Sequence, residues 1–158
     1  DSDLIGSKTS IFKSHRSSNK LPSSFVPGRN LLFLTIGATF AYKMNIFDIV
    51  TGVCEVDYSG YPDCRENTIK ATESALSLGM DCRFTIHTPL MFLTKSETVK
   101  LSMHLEGCFE ALSYSHTCYN GIIPPCGKCP SCELRAAGFK EAGVADPLLE
   151  RVALIPSF

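Results

Sequence analysis

Four of the eight cysteines in this 158-residue chain fall between positions 118 and 132, with seven, two and two residues between them. That run, Cys118-Tyr-Asn-Gly121 followed by Cys126-Gly-Lys-Cys129-Pro-Ser-Cys132, constrains the fold more than any other stretch. A Cys-x-x-Cys turn puts two sulfurs on one ion, and four thiolates satisfy a tetrahedral Zn²⁺. Gly121 and Gly127 permit the tight backbone such turns need. Pro124-Pro125 stiffens the loop after the first thiol. Four protein ligands leave no open coordination position, so the expected zinc is structural, not catalytic. An iron–sulfur cluster also suits thiols at this spacing, and unligated thiols or a disulfide pair are the plainest alternative.

Composition sets the context of that cluster. Hydrophobic residues make up 44% and charged residues 20% of the chain, ordinary for a globular domain. Fifteen Lys and Arg against sixteen Asp and Glu give a net charge of −1, which argues against direct nucleic-acid binding. No apolar run reaches transmembrane length, and no basic stretch precedes an apolar one at the N-terminus. Eight cysteines without a secretory leader fit a reducing compartment, so a cytoplasmic, membrane-free protein is expected.

Along the chain, residues 1–25 read as a polar loop or arm, and Val26-Pro-Gly-Arg-Asn30 as a turn. Leu31–Met44 is long enough for a helix and apolar on most faces, so it should be largely buried. Ile46–Val50 and Cys82–His87 read as strands. Between them lies an irregular loop, 52–65, and then a helix over Arg65–Leu78, capped by Asp63 and ended by Gly79. Thr94-Lys-Ser-Glu97 is a capping box opening a helix that stops near Gly107. The thiol segment, 116–143, carries a final helix from about Cys132 to Ala142, closed by Gly143. Residues 144–158 read as a tail. The alternation of strands and helices predicts an α/β domain with a mainly parallel sheet over 26–115. Two strands are few for an independent sheet, so part of the domain is expected upstream.

Three cations stand at predicted helix starts: Arg29, Arg65 and Lys95. The helix N-terminus is already the positive end of the dipole, so three such choices suggest pooled charge for an anion. The loop after the first strand carries Asp57, Tyr58, Ser59, Tyr61 and Asp63. Asp57 suits the donors of a heterocyclic base, Tyr58 and Tyr61 suit stacking on it, and Asp63 is read chiefly as a helix cap. Cys54 and Cys64 are candidate nucleophiles, and Arg65 is placed to lower the pKa of Cys64, but neither has a neighbouring histidine in sequence and both read chiefly as semi-buried thiols. Cys82 and Cys108 read as core or helix-end residues, and His87 as a structural hydrogen-bonding residue. His116 stands close enough to Cys118 to compete as a ligand, but four cysteines already suffice.

In order along the chain, Val26-Pro-Gly-Arg29-Asn30, Gly52-Val-Cys-Glu-Val-Asp57-Tyr-Ser-Gly-Tyr61-Pro-Asp63-Cys-Arg65, Pro89-Leu-Met-Phe-Leu-Thr-Lys95, Thr117-Cys118-Tyr-Asn-Gly121 and Cys126-Gly-Lys-Cys129-Pro-Ser-Cys132 resemble the 7-cyano-7-deazaguanine (preQ0) synthase family of queuosine biosynthesis. The resemblance runs from about Val26 to Gly143. It implies a Rossmann-like ATP-pyrophosphatase (adenine nucleotide alpha hydrolase-like) fold, with a parallel sheet flanked by helices and a small four-cysteine zinc segment. It implies a ligase that converts 7-carboxy-7-deazaguanine and ammonia to the nitrile with ATP and Mg²⁺. Arg29, Asn30 and Gly52 match residues beside the nucleotide, and Lys95 a lysine facing the reacting phosphates. Asp57, Tyr58, Ser59, Tyr61, Asp63 and Arg65 match the deazapurine pocket, and Cys118, Cys126, Cys129 and Cys132 the zinc ligands. A homodimer is expected. The family's Ser-Gly-Gly-x-Asp-Ser pyrophosphate loop has no counterpart here, so the chain is expected to be the C-terminal part of the enzyme, truncated at the N-terminus. Two other functions fit the residues: a non-catalytic zinc-stabilised binding module, and a related ATP-pyrophosphatase that modifies tRNA directly.

Overall fold

The structure is a computed structural model, described over residues 14–15, 18–56 and 60–154. These residues form two compact units, one holding Ser14–Phe92 and the other starting at Leu93.

In the first unit, β1 (Ser14–His15) and β2 (Ser18–Pro22) pair antiparallel within the stretch read as a polar arm. Helix α1 (Arg29–Lys43) leads into β3 (Asp48–Val50). A 3₁₀ turn over Pro62–Cys64 then leads into α2 (Glu66–Gly79) and β4 (Thr85–His87). Strands β3 and β4 are parallel, with Ile49 opposite Ile86. Parallel neighbours need a crossover, and α2 supplies it. This is the α/β class expected from the alternation.

The core of this unit gathers Leu34 and Ala38 from α1, Ile69 and Leu76 from α2, Phe84, Ile86 from β4, and Met91. Ile69, Thr72 and Leu76 are buried at helical spacing on one face of α2. Strand β4 is shorter than the expected Cys82–His87 because its approach is tied to the end of α2. Cys82 donates its N–H to the Ser77 carbonyl and Phe84 donates to Ser77 Oγ. Further along, the Ile86 N–H donates to Glu73 Oε2 at 2.6 Å. Side chains of α2 thus occupy donors on the outer edge of β4, one of the ways proteins close a sheet edge.

Helix α1 corrects the expectation that it would be largely buried. Leu34 and Ala38 are 7% and 0% exposed, whereas Phe33, Ile36 and Phe40 are 61%, 58% and 66% exposed. The three exposed residues share a stripe on the side opposite Ala38, because i, i+3 and i+7 align on a helix. Apolar periodicity shows which faces a helix is able to bury; only neighbouring elements decide which it does bury. Among the described residues of this unit, β3, β4 and α2 cover one stripe.

The second unit is helical: α3 (Lys95–Met103), α4 (Cys108–Ala111), a 3₁₀ turn over Leu112–Tyr114, α5 (Pro130–Ala142) and α6 (Pro147–Ala153). The predicted capping box is formed. Thr94 Oγ1 accepts from the Glu97 N–H, and Glu97 Oε2 accepts from the Thr94 N–H at 2.8 Å. The Thr94 N–H, followed by its hydroxyl, holds the Glu97 carboxyl below the usual range. Helix α3 ends before the expected boundary near Gly107. Gly107 instead takes φ 69° and caps the start of α4. Pro130 opens α5 two residues earlier than expected, in the position where a missing N–H costs nothing. Gly143 closes it at φ 79°, as expected.

The stretch read as a tail contains a helix. Asp146 accepts from the Leu148 N–H and Pro147 takes the first turn, so Asp-Pro is a helix start here. Asp146 also holds Arg135 of α5, a residue that no local pattern singles out. The Arg135 guanidinium donates to both Asp146 oxygens, to the Leu112 carbonyl, and to the Ser115 carbonyl and hydroxyl. One half-buried cation thereby joins α5, α6 and the turn before the thiol segment.

Candidate functional site

The Sγ atoms of Cys118, Cys126, Cys129 and Cys132 all lie within 4.8 Å of one another. Cys126 and Cys132 are 3.9 Å apart. Four thiolates at about 2.3 Å from a tetrahedral ion stand about 3.8 Å from each other, so this spacing suits one metal ion. Cys118, Cys129 and Cys132 are buried. Local backbone builds the cradle. Gly127 at φ 68° turns the chain so that the Lys128 and Cys129 N–H groups both donate to Cys126 Sγ. The Cys126 N–H in turn donates to Cys118 Sγ. Cys129 occupies the N-cap position of α5 and Cys132 its first turn.

These donors favour thiolate. The Lys128 N–H, with further help from Cys129, pulls the Cys126 thiol down to about 6; at Cys118 burial is the largest single effect and raises the thiol, but the backbone N–H groups of Cys126 and Asn120 together outweigh it, so Cys118 is also lowered. Burial pushes Cys132 up to about 12. A cation shared by the four sulfurs would displace the remaining protons, because metal ligation takes the thiolate form. No disulfide joins any of the eight cysteines. His116 is not in the cluster; its Nε2 meets the Ile122 carbonyl at 3.0 Å.

In the first unit, the start of α1 and the turn before α2 form a second constellation. Asp63 Oδ2 accepts from the Asn30 N–H at 3.0 Å, and Asn30 Nδ2 donates to Cys64 Sγ at 3.1 Å. Asp63 therefore caps α1, not α2 as expected from its place three residues before Glu66. The N-cap of α2 is Arg65, without a side-chain cap, and Glu55 reaches back to accept from the Glu66 N–H. A carboxylate serves whichever helix start is nearest in space. Asp63 is 5% exposed, and its other oxygen, Oδ1, is buried with no hydrogen-bond partner among the described residues.

Tyr61 is buried beside this turn. Its hydroxyl lies 2.6 Å from Ser24 Oγ, its ring packs on Phe25, and the Arg29 guanidinium carbon lies 5.7 Å from its centroid. Gly52 lies just past the C-terminal end of β3, where ligands of open α/β sheets bind. Asp57, Tyr58 and Ser59 lie outside the described residues. Arg29 opens α1 and Arg65 stands at the N-cap of α2, both in this unit; Lys95 opens α3 in the other. His87 pairs with Asp48 at 2.7 Å, in keeping with a structural role.

No described helix is long and apolar enough to cross a membrane. Residues 1–143 match the family model described as queuosine biosynthesis protein QueC. A protein of Chromobacterium violaceum named 7-cyano-7-deazaguanine synthase is 64% identical over 136 residues, 86% of this chain and 58% of its own length. A protein of the same name from Laribacter hongkongensis is 59% identical over 84% of this chain and 58% of its own. One from Nitratidesulfovibrio vulgaris is 52% identical over 77% and 54%. The chain thus spans a little over half the length of these relatives. The thiol centre, the α/β unit and these likenesses agree: the chain belongs to the queuosine biosynthesis protein QueC family, with its ATP-pyrophosphatase-like α/β fold.

Proposed function

We propose that this chain forms part of an ATP-dependent ligase that converts 7-carboxy-7-deazaguanine and ammonia to 7-cyano-7-deazaguanine (preQ0), in the cytoplasm and as a homodimer. The observation that carries this reading is the constellation of Asn30, Asp63 and Cys64, which ties the start of α1 to the turn before α2 and leaves a buried carboxylate oxygen without a partner among the described residues. Such an oxygen suits an N–H donor of a heterocyclic base. The names of the relatives point the same way.

In this reading Arg29, Asn30 and Gly52 contact the nucleotide. Asp57, Tyr58, Ser59, Tyr61, Asp63 and Arg65 form the deazapurine pocket, with Tyr61 as a fixed wall. The substrate carboxylate attacks the α-phosphorus of ATP, giving an acyl-adenylate and pyrophosphate. Ammonia adds at the acyl carbon, AMP leaves, and a proton is lost to give the amide. A second ATP adenylates the amide oxygen, releasing pyrophosphate and one N–H proton, and loss of AMP with the second N–H proton leaves the nitrile. Lys95 and Arg29 neutralise charge that builds as pyrophosphate departs. Mg²⁺, when bound, would screen the same phosphates. Cys118, Cys126, Cys129 and Cys132 hold a structural Zn²⁺; sulfurs this close leave room for one ion but not for several irons with bridging sulfides.

The full-length protein should release AMP and form the nitrile from free 7-carboxy-7-deazaguanine, detected by mass spectrometry. Modification of tRNA in place of the free acid would overturn this reading. Arg29→Ala and Lys95→Ala should each lose about 2–4 kcal/mol of transition-state stabilisation in single-turnover adenylation. Arg65→Ala should weaken binding of the deazapurine acid more than binding of ATP in calorimetric titrations. Parent-like binding and turnover in all three variants would show these cations to be solvated bystanders.

A further inference from the structure

The stem of Lys95 lies against α5 at Gly138. A Cβ built on Gly138 would stand 2.4 Å from Lys95 Cγ, 2.9 Å from Lys95 Cβ and 3.4 Å from its backbone carbonyl carbon. Lys95 Cβ is fixed by the backbone and Cγ by a single torsion, so neither yields as a side-chain tip would. Gly138 is buried in the middle of α5, at a place where glycine weakens a helix relative to alanine. It has no positive φ to explain it. What it supplies is room for the lysine stem.

Helix α5 is held on both sides of this contact. Its N-cap residue and first turn carry Cys129 and Cys132 of the thiol centre. Beyond Gly138, Phe139 is buried and meets Phe109 edge to face at 6.4 Å. The capping box fixes the α3 start that carries Lys95. The backbone on either side of the lysine stem is therefore set before any ligand arrives.

We propose that Gly138 is a positioning residue for Lys95: by admitting the stem against α5, it sets the direction in which the ammonium extends. This rests on the reading that Lys95 meets the ATP phosphates. In that reading, any side chain at 138 turns the stem or parts the helices, and the charge misses the developing pyrophosphate.

The test is a double-mutant cycle in the full-length enzyme, with turnover, thermal midpoint and zinc content read for each protein. Gly138→Ala should lower kcat by about a hundredfold, the scale of a misplacement of about 1 Å, with zinc content and acid binding kept. In a Lys95→Ala background the same change should lower kcat no further and should shift the thermal midpoint less. An equal kcat loss in both backgrounds, or parent-like turnover of Gly138→Ala, would overturn the proposal. Parent-like turnover of Lys95→Ala alone would remove the phosphate role of Lys95, while non-additive thermal midpoints would still report the Gly138–Lys95 contact. Should Gly138→Ala not fold, Phe139→Leu, which loosens the rotation of α5 against Phe109, goes through the same cycle with the same deciding outcomes.

Discussion

Cys129→Ser should abolish metal binding at the thiol centre and destabilise the second unit. Cys129 is fully buried, its N–H donates to Cys126 Sγ, and it stands at the N-cap of α5. A hydroxyl is a poorer ligand for a soft-binding ion, and three thiolates without a cation repel one another. Structural zinc sites in small peptides bind with an apparent free energy of about 10–16 kcal/mol, and that binding energy is folding energy. Even a fraction of it exceeds the effect of most single substitutions. The measurements are metal content by elemental analysis and the denaturation midpoint, with a strong chelator applied to the parent as a comparison. Acidification should release the ion as well, because protons compete for each thiolate. A Cys129→Ser protein with unchanged metal content and thermal midpoint would refute the structural role, and iron with acid-labile sulfide would refute zinc.

Arg135→Met should cost up to about 3–5 kcal/mol, the penalty for leaving one member of a largely desolvated ion pair behind. The side chains of Arg135 and Asp146 are 11% and 7% exposed. The substitution strands the Asp146 carboxylate and removes donors from the Leu112 and Ser115 carbonyls. Asp146→Ala should cost a similar amount, since it also deletes the cap of α6. The double variant should cost less than the sum, with a coupling of about 0.5–3 kcal/mol. Urea denaturation of the four proteins measures this cycle. Strict additivity would mean that the two side chains act independently.

Much of the candidate chemistry was legible from local pattern. Thiol spacing encodes which sulfurs are able to share an ion, because a Cys-x-x-Cys turn brings its ligands together within one loop. The Thr94–Glu97 capping box and the Gly143 stop are likewise local, each complete within a few residues, and all three appear where the sequence places them. The two parallel strands also followed from the short apolar run Ile46–Val50 and the alternation over Cys82–His87, with a helix between them.

What the sequence could not supply was which partner each group meets across the fold. Asp63 has the spacing of a cap for α2, yet folding sets it beside the Asn30 N–H of α1, thirty-three positions away. The apolar residues of α1 define two faces, and only packing selects Leu34 and Ala38 over Phe33, Ile36 and Phe40. Arg135 resembles any solvated helix residue until Asp146, Leu112 and Ser115 close around it. Gly138 reads as a weak point in a helix until α3 lays the Lys95 stem against it. The Thr94–Glu97 capping box, the metal turns and the Gly143 stop lie within reach of their own neighbours in the chain, so sequence alone determined them. Burial, ion pairing and the fit of one side chain against another helix join distant residues, so the tertiary structure decided them.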